Sequence, residues 1–309
     1  MHAKLRAAWL VTWLCGSSAV GQVLAAAIPA VAPLRVLVVG ASLSAGFIDG
    51  PFAGGNAENH TIALARLLRS WLGSEAKVQN RSDLLMFMDP TKIGMRQMER
   101  AKQDGGDLLF AIDFLFWYGY GYTELAPLDE RKARMDRLEL GLAQLGTWQG
   151  PIVLADFPDM RGAARRMLSP LQVPSPVVLD ALNVRVVEWA KARDHCCVLP
   201  LRALVTGMKE SGVQMQLLDG PLFVKPMAML QSDQLHPNRL GMAWFMFQIQ
   251  DPVRNLLTSQ QAALLPKWTI DQCVAAADAT MDVADMRADA DSGDTQQPAS
   301  PRKKSAAKK

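Results

Sequence analysis

Ser42 lies where a buried strand is predicted to end, a position suited to a nucleophile. The preceding run Val36–Val39 holds four consecutive aliphatic residues, three of them β-branched, which predicts a buried central strand that Gly40 ends. Open α/β sheets place their chemistry at this carboxyl edge, and the small residues up to Gly46 allow a substrate to approach the backbone. Taken alone, the stretch favours a structural role in which Ser42 caps the next helix.

Asp233 and His236 form a second group of reactive residues almost two hundred positions later. Pro237 suits the first position of a helix and biases His236 away from helical geometry, which places the imidazole just before that helix. An aspartate nearby can hold one ring nitrogen so that the other takes a proton from a serine hydroxyl. By itself, this segment is better explained by an aspartate that caps the helix and a histidine that packs beside it.

The two segments together resemble the SGNH hydrolases, also called the GDSL esterase and lipase family. Gly40–Leu43 matches the first block of that family, with Ala41 in place of the family's Asp. Asp233–Pro237, which reads Asp-Gln-Leu-His-Pro, matches the last block in full. The resemblance spans roughly residues 34–260, although specific motifs occur only at its two ends.

The resemblance implies catalytic roles for three residues. Ser42 would be the nucleophile, His236 the general base and Asp233 the residue that orients the imidazole. Ser44 occupies the position that a glycine would need in a G-x-S-x-G nucleophile elbow, which disfavours the ordinary α/β-hydrolase fold.

The two middle blocks of the family, which supply a Gly and an Asn to the oxyanion hole, have no match. After the second predicted strand the chain reads Asn80–Leu85 without a glycine, and Asp113 stands after the third strand where the Asn block is expected. An ionised carboxylate would repel a developing oxyanion, so Asp113 cannot simply replace the Asn. The Ser42 backbone N–H and either the backbone or the hydroxyl of Ser82 are the alternative donors.

An aromatic segment, Trp117–Tyr122, holds all three tyrosines of the chain and is predicted to be a loop after the third strand. Trp117 and its neighbours would offer stacking faces to a sugar. The alternative is that these rings pack beneath the loop, which is the commoner use of aromatic side chains.

Strands and helices alternate along the chain, which predicts a parallel sheet with helices on both faces. This interpretation agrees with the family resemblance: an α/β fold, specifically a three-layer α/β/α sandwich with a parallel sheet of about five strands, of the SGNH or flavodoxin-like type. The segment 207–231 is expected to be irregular. The strands are predicted near residues 36–39, 77–80, 107–113, 151–156 and 196–199.

Three regions of the chain differ in composition. Residues 1–32 resemble a secretory signal peptide, with Lys4 and Arg6 before an apolar run and small residues at its end. An uncleaved membrane anchor is the alternative. Residues 33–265 are predicted to form the hydrolase-like domain, and 266–309 a short helix followed by a disordered basic tail. The expected location is therefore periplasmic or secreted.

Composition limits the partners and cofactors. The net charge over 309 residues is only +3, and the basic residues are scattered except in the tail. Neither feature predicts nucleic-acid binding. Four cysteines and four histidines without zinc-like spacing predict no metal site, and no cofactor is expected. The basic tail would either contact an anionic envelope surface or remain solvated.

Two classes of function follow. The first is a secreted serine esterase that acts on acyl esters of small molecules or on the O-acyl groups of an envelope glycan. The second is a non-catalytic SGNH-like binding protein of the envelope. The intact set of Ser42, Asp233 and His236 favours the enzyme, whereas the missing middle blocks favour the binding protein.

Overall fold

The computed structural model describes residues 33–48, 61–122 and 127–293. Within these ranges, five parallel strands form one sheet in the order β2-β1-β3-β4-β5. This is the flavodoxin-type order of a doubly wound sheet, so the predicted fold class is confirmed. The strands are β1 (Arg35–Val38), β2 (Lys77–Asn80), β3 (Leu108–Ala111), β4 (Ile152–Ala155) and β5 (Cys196–Leu199).

Helices enclose the sheet and explain why its central strands are apolar on both faces. Every residue of β3 and β4 is buried, as expected for parallel strands covered on two sides. Helix α5 packs against α3, α4 and α6, whereas α8 packs against α10 and β5. The helices are α1 (Ser42–Ala45), α2 (Leu64–Leu72), α3 (Pro90–Asp104), α4 (Phe116–Tyr120), α5 (Pro127–Leu145), α6 (Pro176–Lys191), α7 (Leu201–Thr206), α8 (Arg239–Leu256), α9 (Ser259–Leu264), α10 (Ile270–Ala276) and α11 (Thr280–Gly293).

The strand order creates a crevice next to β1. The chain passes from β1 outward to β2 and then returns to the opposite side of β1 to form β3. The topological switch point therefore lies between β1 and β3, and ligands of open α/β sheets bind at such points. Ser42 follows β1 and Asp113 follows β3, so the two residues flank this crevice.

The segment that was expected to be irregular contains a β-hairpin. Strands β6 (Val213–Leu217) and β7 (Gly220–Val224) pair antiparallel, and a single π-helical turn, Gly207–Ser211, precedes them. Burial alternates along β6, with its apolar residues inward and its glutamines outward. This period-two pattern was present in the sequence, but its short length and its methionine made it resemble an irregular segment.

The aromatic segment after β3 is a short helix rather than a loop. Tyr118 and Tyr120 are fully buried in α4, and their hydroxyls bond to the carbonyls of Pro90 and Pro158. Burial leaves these two rings no face for a sugar, so they follow the alternative in which the rings pack inside the protein. Tyr122 alone among the tyrosines is exposed.

Helix α10, beyond residue 265, packs on the same core as the sheet. Cys273 of α10 is fully buried, and Gln250 of α8 exchanges hydrogen bonds with the backbone of Trp268. The predicted signal peptide (1–32), residues 49–60, residues 123–126 and the end of the predicted basic tail (294–309) lie outside the described residues. Across the part that is described, no helix is both long and apolar enough to span a bilayer.

Candidate active site

Ser42 is the first residue of α1, directly after the turn that ends β1. Gly40 makes this turn possible: its φ of 147° is unfavourable for other residues, and a Cβ there would lie 2.1 Å from the Asp113 carboxylate. Gln97 of α3 clamps the same glycine, because its side chain accepts from the Gly40 N–H at 2.7 Å and donates to the Gly40 carbonyl at 3.0 Å. Among these neighbours of Ser42, Gln97 is the one that the sequence alone does not single out.

Asp233 and His236 lie on a tight turn before α8. One oxygen of the Asp233 carboxylate accepts from the backbone N–H groups of Leu235 and His236, so the turn is held by its own first residue. Gln234 in between takes a left-handed conformation, with φ of 56°. Both functional side chains are buried, Asp233 completely and His236 to within 5% exposure.

The structure brings the three predicted residues together across 194 positions of sequence. His236 Nδ1 lies 2.6 Å from Asp233 Oδ2, and His236 Nε2 lies 2.8 Å from Ser42 Oγ. Both distances fall within the range expected for a nucleophile, its base and the group that orients the base, about 2.6–3.2 Å. The Phe47 ring lies 4.4 Å from the imidazole and covers one face of it.

The electrostatics of Asp233 suit an orienting carboxylate. Burial alone would raise the pKa of Asp233, but the hydrogen bond and charge of His236, together with the two backbone N–H groups, outweigh burial and lower this pKa. Asp233 is therefore ionised at neutral pH and able to stabilise an imidazolium.

Asp113 also lies at the site, but its carboxylate accepts hydrogen bonds from the turn that carries Ser42. Its Oδ2 accepts from the backbone N–H groups of Leu43 at 2.8 Å and Ser44 at 3.3 Å, and its Oδ1 accepts from the Ser44 hydroxyl at 2.5 Å. Burial raises the pKa of Asp113, and the hydrogen bonds from Ser44 and the backbone oppose that rise. Asp113 thus holds the turn that carries Ser42.

The two other predicted oxyanion or substrate residues are placed differently. Ser82 donates both its N–H and its hydroxyl to Asn80 Oδ1 and lines neither of the cavities beside Ser42. Trp117 lines one of those cavities, and among the described residues its buried indole N–H has no hydrogen-bond partner.

The Ser42 backbone N–H is available to an oxyanion. No hydrogen bond from the Ser42 N–H is formed among the described residues, whereas the next two N–H groups are taken by Asp113. The site therefore offers the Ser42 N–H to negative charge that develops beside Oγ, with a shorter set of donors than the family pattern implies.

Two cavities meet at Ser42 and His236. The first runs into the interior, with apolar lining apart from Ser42, Asp113 and His236. The second lies on the other side of the pair and is bounded by Phe47, Leu84, Phe87, Trp117, Arg166, Met167, Gln172 and Leu235. An ester bound with its carbonyl at Ser42 would have room on both sides.

The described residues contain no cluster of His, Cys, Asp and Glu that could hold a metal ion. The thiols of Cys196, Cys197 and Cys273 are all free, and burial raises the pKa of each, that of Cys273 to about 12. None of these three thiols lines a cavity beside Ser42.

Comparisons with known proteins give only distant likenesses. No family model and no curated protein sequence matches the chain. Solved structures that it resembles include the crystal structure of TesA (TM-score 0.41, 14% identity, 72% of this chain and 99% of that one). Another is LAE5, an alpha/beta hydrolase from the metagenome of Lake Arreo, Spain (TM-score 0.41, 15% identity, 74% and 98%).

A third similar structure is BT4096, a gut microbial diltiazem-metabolizing enzyme (TM-score 0.43, 10% identity, 71% of this chain). The chain spans only 46% of that protein's length. Likenesses this low do not assign an activity. The function proposed below is derived from the geometry of Ser42, His236 and Asp233.

Proposed function

We propose that this protein is a serine hydrolase of the SGNH type that cleaves acyl esters. The observation that supports this most strongly is the unbroken chain of hydrogen bonds from Ser42 Oγ through the His236 ring to the Asp233 carboxylate. Ser42 and the Asp233–His236 pair, almost two hundred positions apart in sequence, meet with the spacing that proton transfer requires.

The chemistry follows from this arrangement. Asp233 accepts from His236 Nδ1–H, which leaves Nε2 free to take the proton of the Ser42 hydroxyl. Ser42 Oγ attacks the ester carbonyl, the oxyanion forms beside the Ser42 N–H, and the imidazolium returns the proton to the departing alcohol. Water, deprotonated by His236, then attacks the acyl-serine ester and releases the carboxylic acid and the free serine.

The short set of oxyanion donors sets the expected range of substrates. Losing one donor typically costs about 10²–10³ in rate. Esters with a good leaving group need little help at the carbonyl and should be hydrolysed measurably. Poorly activated esters should react slowly unless the natural substrate contributes binding energy elsewhere in the site.

Labelling with a fluorophosphonate probe tests the proposal directly. The wild-type protein should be labelled at Ser42, and the Ser42→Ala variant should neither be labelled nor hydrolyse activated esters above the uncatalysed rate. Ser82→Ala is the matched control, because Ser82 lines neither cavity, and it should behave like the wild type.

A non-catalytic binding protein is the second candidate, and the shortage of oxyanion donors is the observation that favours it. In that case the wild type and Ser42→Ala would be equally inert toward a panel of activated esters and toward the probe. Retention of ligand by both proteins would then identify the site as a binding site.

We further propose that the protein is exported and acts in the cell envelope, on small-molecule esters or on acyl groups carried by a glycan. Lys4, Arg6 and the apolar run behind them motivate the proposal. Cell fractionation with N-terminal sequencing tests it. Full-length protein that begins at Met1 and is recovered in the cytoplasm would contradict export.

A further inference from the structure

The connection between β2 and α3 exposes large apolar side chains on a single 3₁₀ turn. Leu84, Leu85, Phe87 and Met88 are all exposed, Met88 to 69%, whereas Met86 between them is buried. We call the segment Leu84–Met88 the apolar turn. Single exposed apolar residues are ordinary on a protein surface, but a cluster of this kind marks a surface that contacts something other than water.

The apolar turn lies at the mouth of the second cavity beside Ser42. Leu84 and Phe87 line that cavity, and because they are themselves exposed the cavity opens to solvent next to them. Two further exposed apolar residues, Ile48 and Leu171, each directly adjoin in sequence another residue of the cavity lining. Exposed apolar side chains therefore lie on more than one side of the opening.

Basic side chains accompany this apolar surface. Arg166 lines the same cavity and is exposed, and its neighbour Arg165 is exposed as well. Lys92, in the first turn of α3, is a third exposed cation close to the apolar turn in sequence. A surface that combines apolar and cationic side chains suits a partner that offers both hydrocarbon and negative charge.

The two carboxylates that flank the apolar turn are both engaged. Asp83 accepts from the Arg96 guanidinium at 2.8 Å, so these two charges offset each other. Asp89 caps α3 by accepting from the backbone N–H of Lys92 at 2.9 Å. The charges of Arg165 and Arg166 are thus left in excess at the mouth of the cavity.

We propose that the apolar turn and the basic residues beside it dock this protein on a lipid layer that carries anionic headgroups. Apolar side chains would enter the layer, and the arginines would lie among its phosphate groups. A partner protein or a second copy on this face would instead cover the opening that leads to Ser42. This choice of occupant rests on the proposed function, which needs that opening free, but docking itself uses none of the catalytic residues.

Cosedimentation of the full-length protein with lipid vesicles measures the docking. The wild type should bind phosphatidylcholine vesicles that contain about one quarter phosphatidylglycerol at least about fivefold more tightly than pure phosphatidylcholine vesicles. The double variant Leu85→Gln/Met88→Gln should bind the anionic vesicles at least about tenfold more weakly than the wild type. Neither substituted residue lines a cavity at Ser42, so hydrolysis of a soluble ester and the circular dichroism spectrum should stay unchanged.

Matched variants separate this surface from the rest of the molecule. Leu140→Gln/Val184→Gln removes two exposed apolar side chains from α5 and α6, away from the apolar turn, and should bind vesicles like the wild type. Arg165→Gln should bind the anionic vesicles about fivefold more weakly. Lys191→Gln is its control, because Lys191 ends α6 near the start of β5, at the edge of the sheet opposite Ser42, and it should have no effect.

Hydrogen exchange locates the contact on the full chain, whose apolar N-terminal run and basic tail also carry lipid-compatible residues. Anionic vesicles should slow exchange of the backbone N–H groups in residues 84–88. The double variant Leu85→Gln/Met88→Gln should lose this protection. The Ser42→Ala protein should keep it, so a failure of docking and a failure of the proposed hydrolysis are separate results.

Three results would overturn the docking surface. The first is vesicle binding by the wild type that is absent, or equal on neutral and anionic vesicles. The second is binding that Leu85→Gln/Met88→Gln leaves unchanged, or exchange in residues 84–88 that vesicles do not slow. The third is a dimer of the wild type, seen by analytical ultracentrifugation without lipid and lost in the double variant, which would assign this face to a second copy.

Discussion

Two buried aspartates, Asp113 and Asp233, lie on either side of Ser42 and hold different parts of the site. Both accept two backbone N–H groups and one side-chain donor. Asp233 forms its hydrogen bonds with its own turn and with His236, so it acts on the base. Asp113 reaches from the end of β3 to the turn after β1, so it acts on the nucleophile.

The pKa values of these two carboxyl groups move in opposite directions. Burial opposes ionisation of both, but only Asp233 has a partner that can carry a positive charge, and its pKa is lowered. The partners of Asp113 are neutral N–H and O–H groups, and its pKa is raised. The comparison teaches that hydrogen-bond number alone does not set the charge of a buried carboxyl, because the depth of burial and the charge of the donor also enter the balance.

The largest expected effect is the loss of Asp233. Asp233→Asn should lower kcat toward activated esters by about 10³–10⁴-fold, because the amide stabilises neither the working tautomer nor the imidazolium. Steady-state kinetics with a para-nitrophenyl ester measures it. Asp136→Asn, an exposed aspartate paired with Lys132, is the control and should be neutral. A drop of less than about tenfold would contradict the role of Asp233.

The next effect concerns Asp113. Asp113→Ala leaves two buried N–H groups and a hydroxyl without an acceptor, so kcat should fall about 10²-fold as Ser42 shifts from His236. Asp113→Asn should lose much less, because one amide oxygen can still accept from the turn while the amide nitrogen donates to Ser44.

Kinetics of both Asp113 variants beside the wild type measures this difference. Higher activity of Asp113→Asn than of the wild type would instead mean that the carboxylate repels the oxyanion. Equal activity of all three proteins would place Asp113 outside the working site.

Gly40 provides a sharper test of the Asp113 contact. Gly40→Ala should lower the free energy of unfolding by about 2–4 kcal/mol, from backbone strain and from collision with the carboxylate. It should also reduce kcat, since the same turn carries Ser42. Urea denaturation and ester kinetics measure the two effects.

Gly73→Ala is the control for Gly40→Ala. Gly73 also has a positive φ, of 80°, but nothing lies within 4 Å of its added Cβ, so strain acts there without a clash. It should destabilise by a smaller amount and leave kcat unchanged. Equal effects of the two variants on kcat would contradict a specific role for the close contact between Gly40 and Asp113.

The smallest effect is the pH dependence of stability, and its sign differs between the two aspartates. The lowered pKa of Asp233 contributes stability that is present above about pH 3.9 and is lost as the pH falls through the folded value. The raised pKa of Asp113 acts the other way: its contribution is fully present below about pH 3.9 and is lost as the pH rises through the folded value.

Urea unfolding at a series of pH values, with Asp233→Asn and Asp113→Asn, separates the two contributions. The difference in free energy of unfolding between the wild type and Asp233→Asn should shrink below about pH 4. The free energy of unfolding of the wild type should fall relative to that of Asp113→Asn as the pH rises above that value. If both differences changed with pH in the same direction, the opposite pKa shifts of Asp113 and Asp233 would be contradicted.

Much of the architecture could be predicted because its signals are local. All five strands of the main sheet lie where the sequence predicts them, and their alternation with helices predicts that the sheet is parallel. The hairpin β6–β7 was missed because a short alternating run such as Val213–Leu217 resembles many irregular segments. The helix at Phe116–Tyr120 was missed because its aromatics gave no helical period and are buried from several sides.

The sequence by itself determined the strand before Ser42 and the turn at Asp233–His236, since both depend on interactions within a few residues. Only the tertiary structure decided that Ser42 Oγ lies 2.8 Å from His236 Nε2 and that Asp113 turns toward the Ser42 helix. A carboxylate takes its direction from the N–H groups around it, and here they belong to α1, about seventy residues away in sequence. The apolar cavity beside Ser42 has the same origin, because it exists only where four separate parts of the chain pack around one serine.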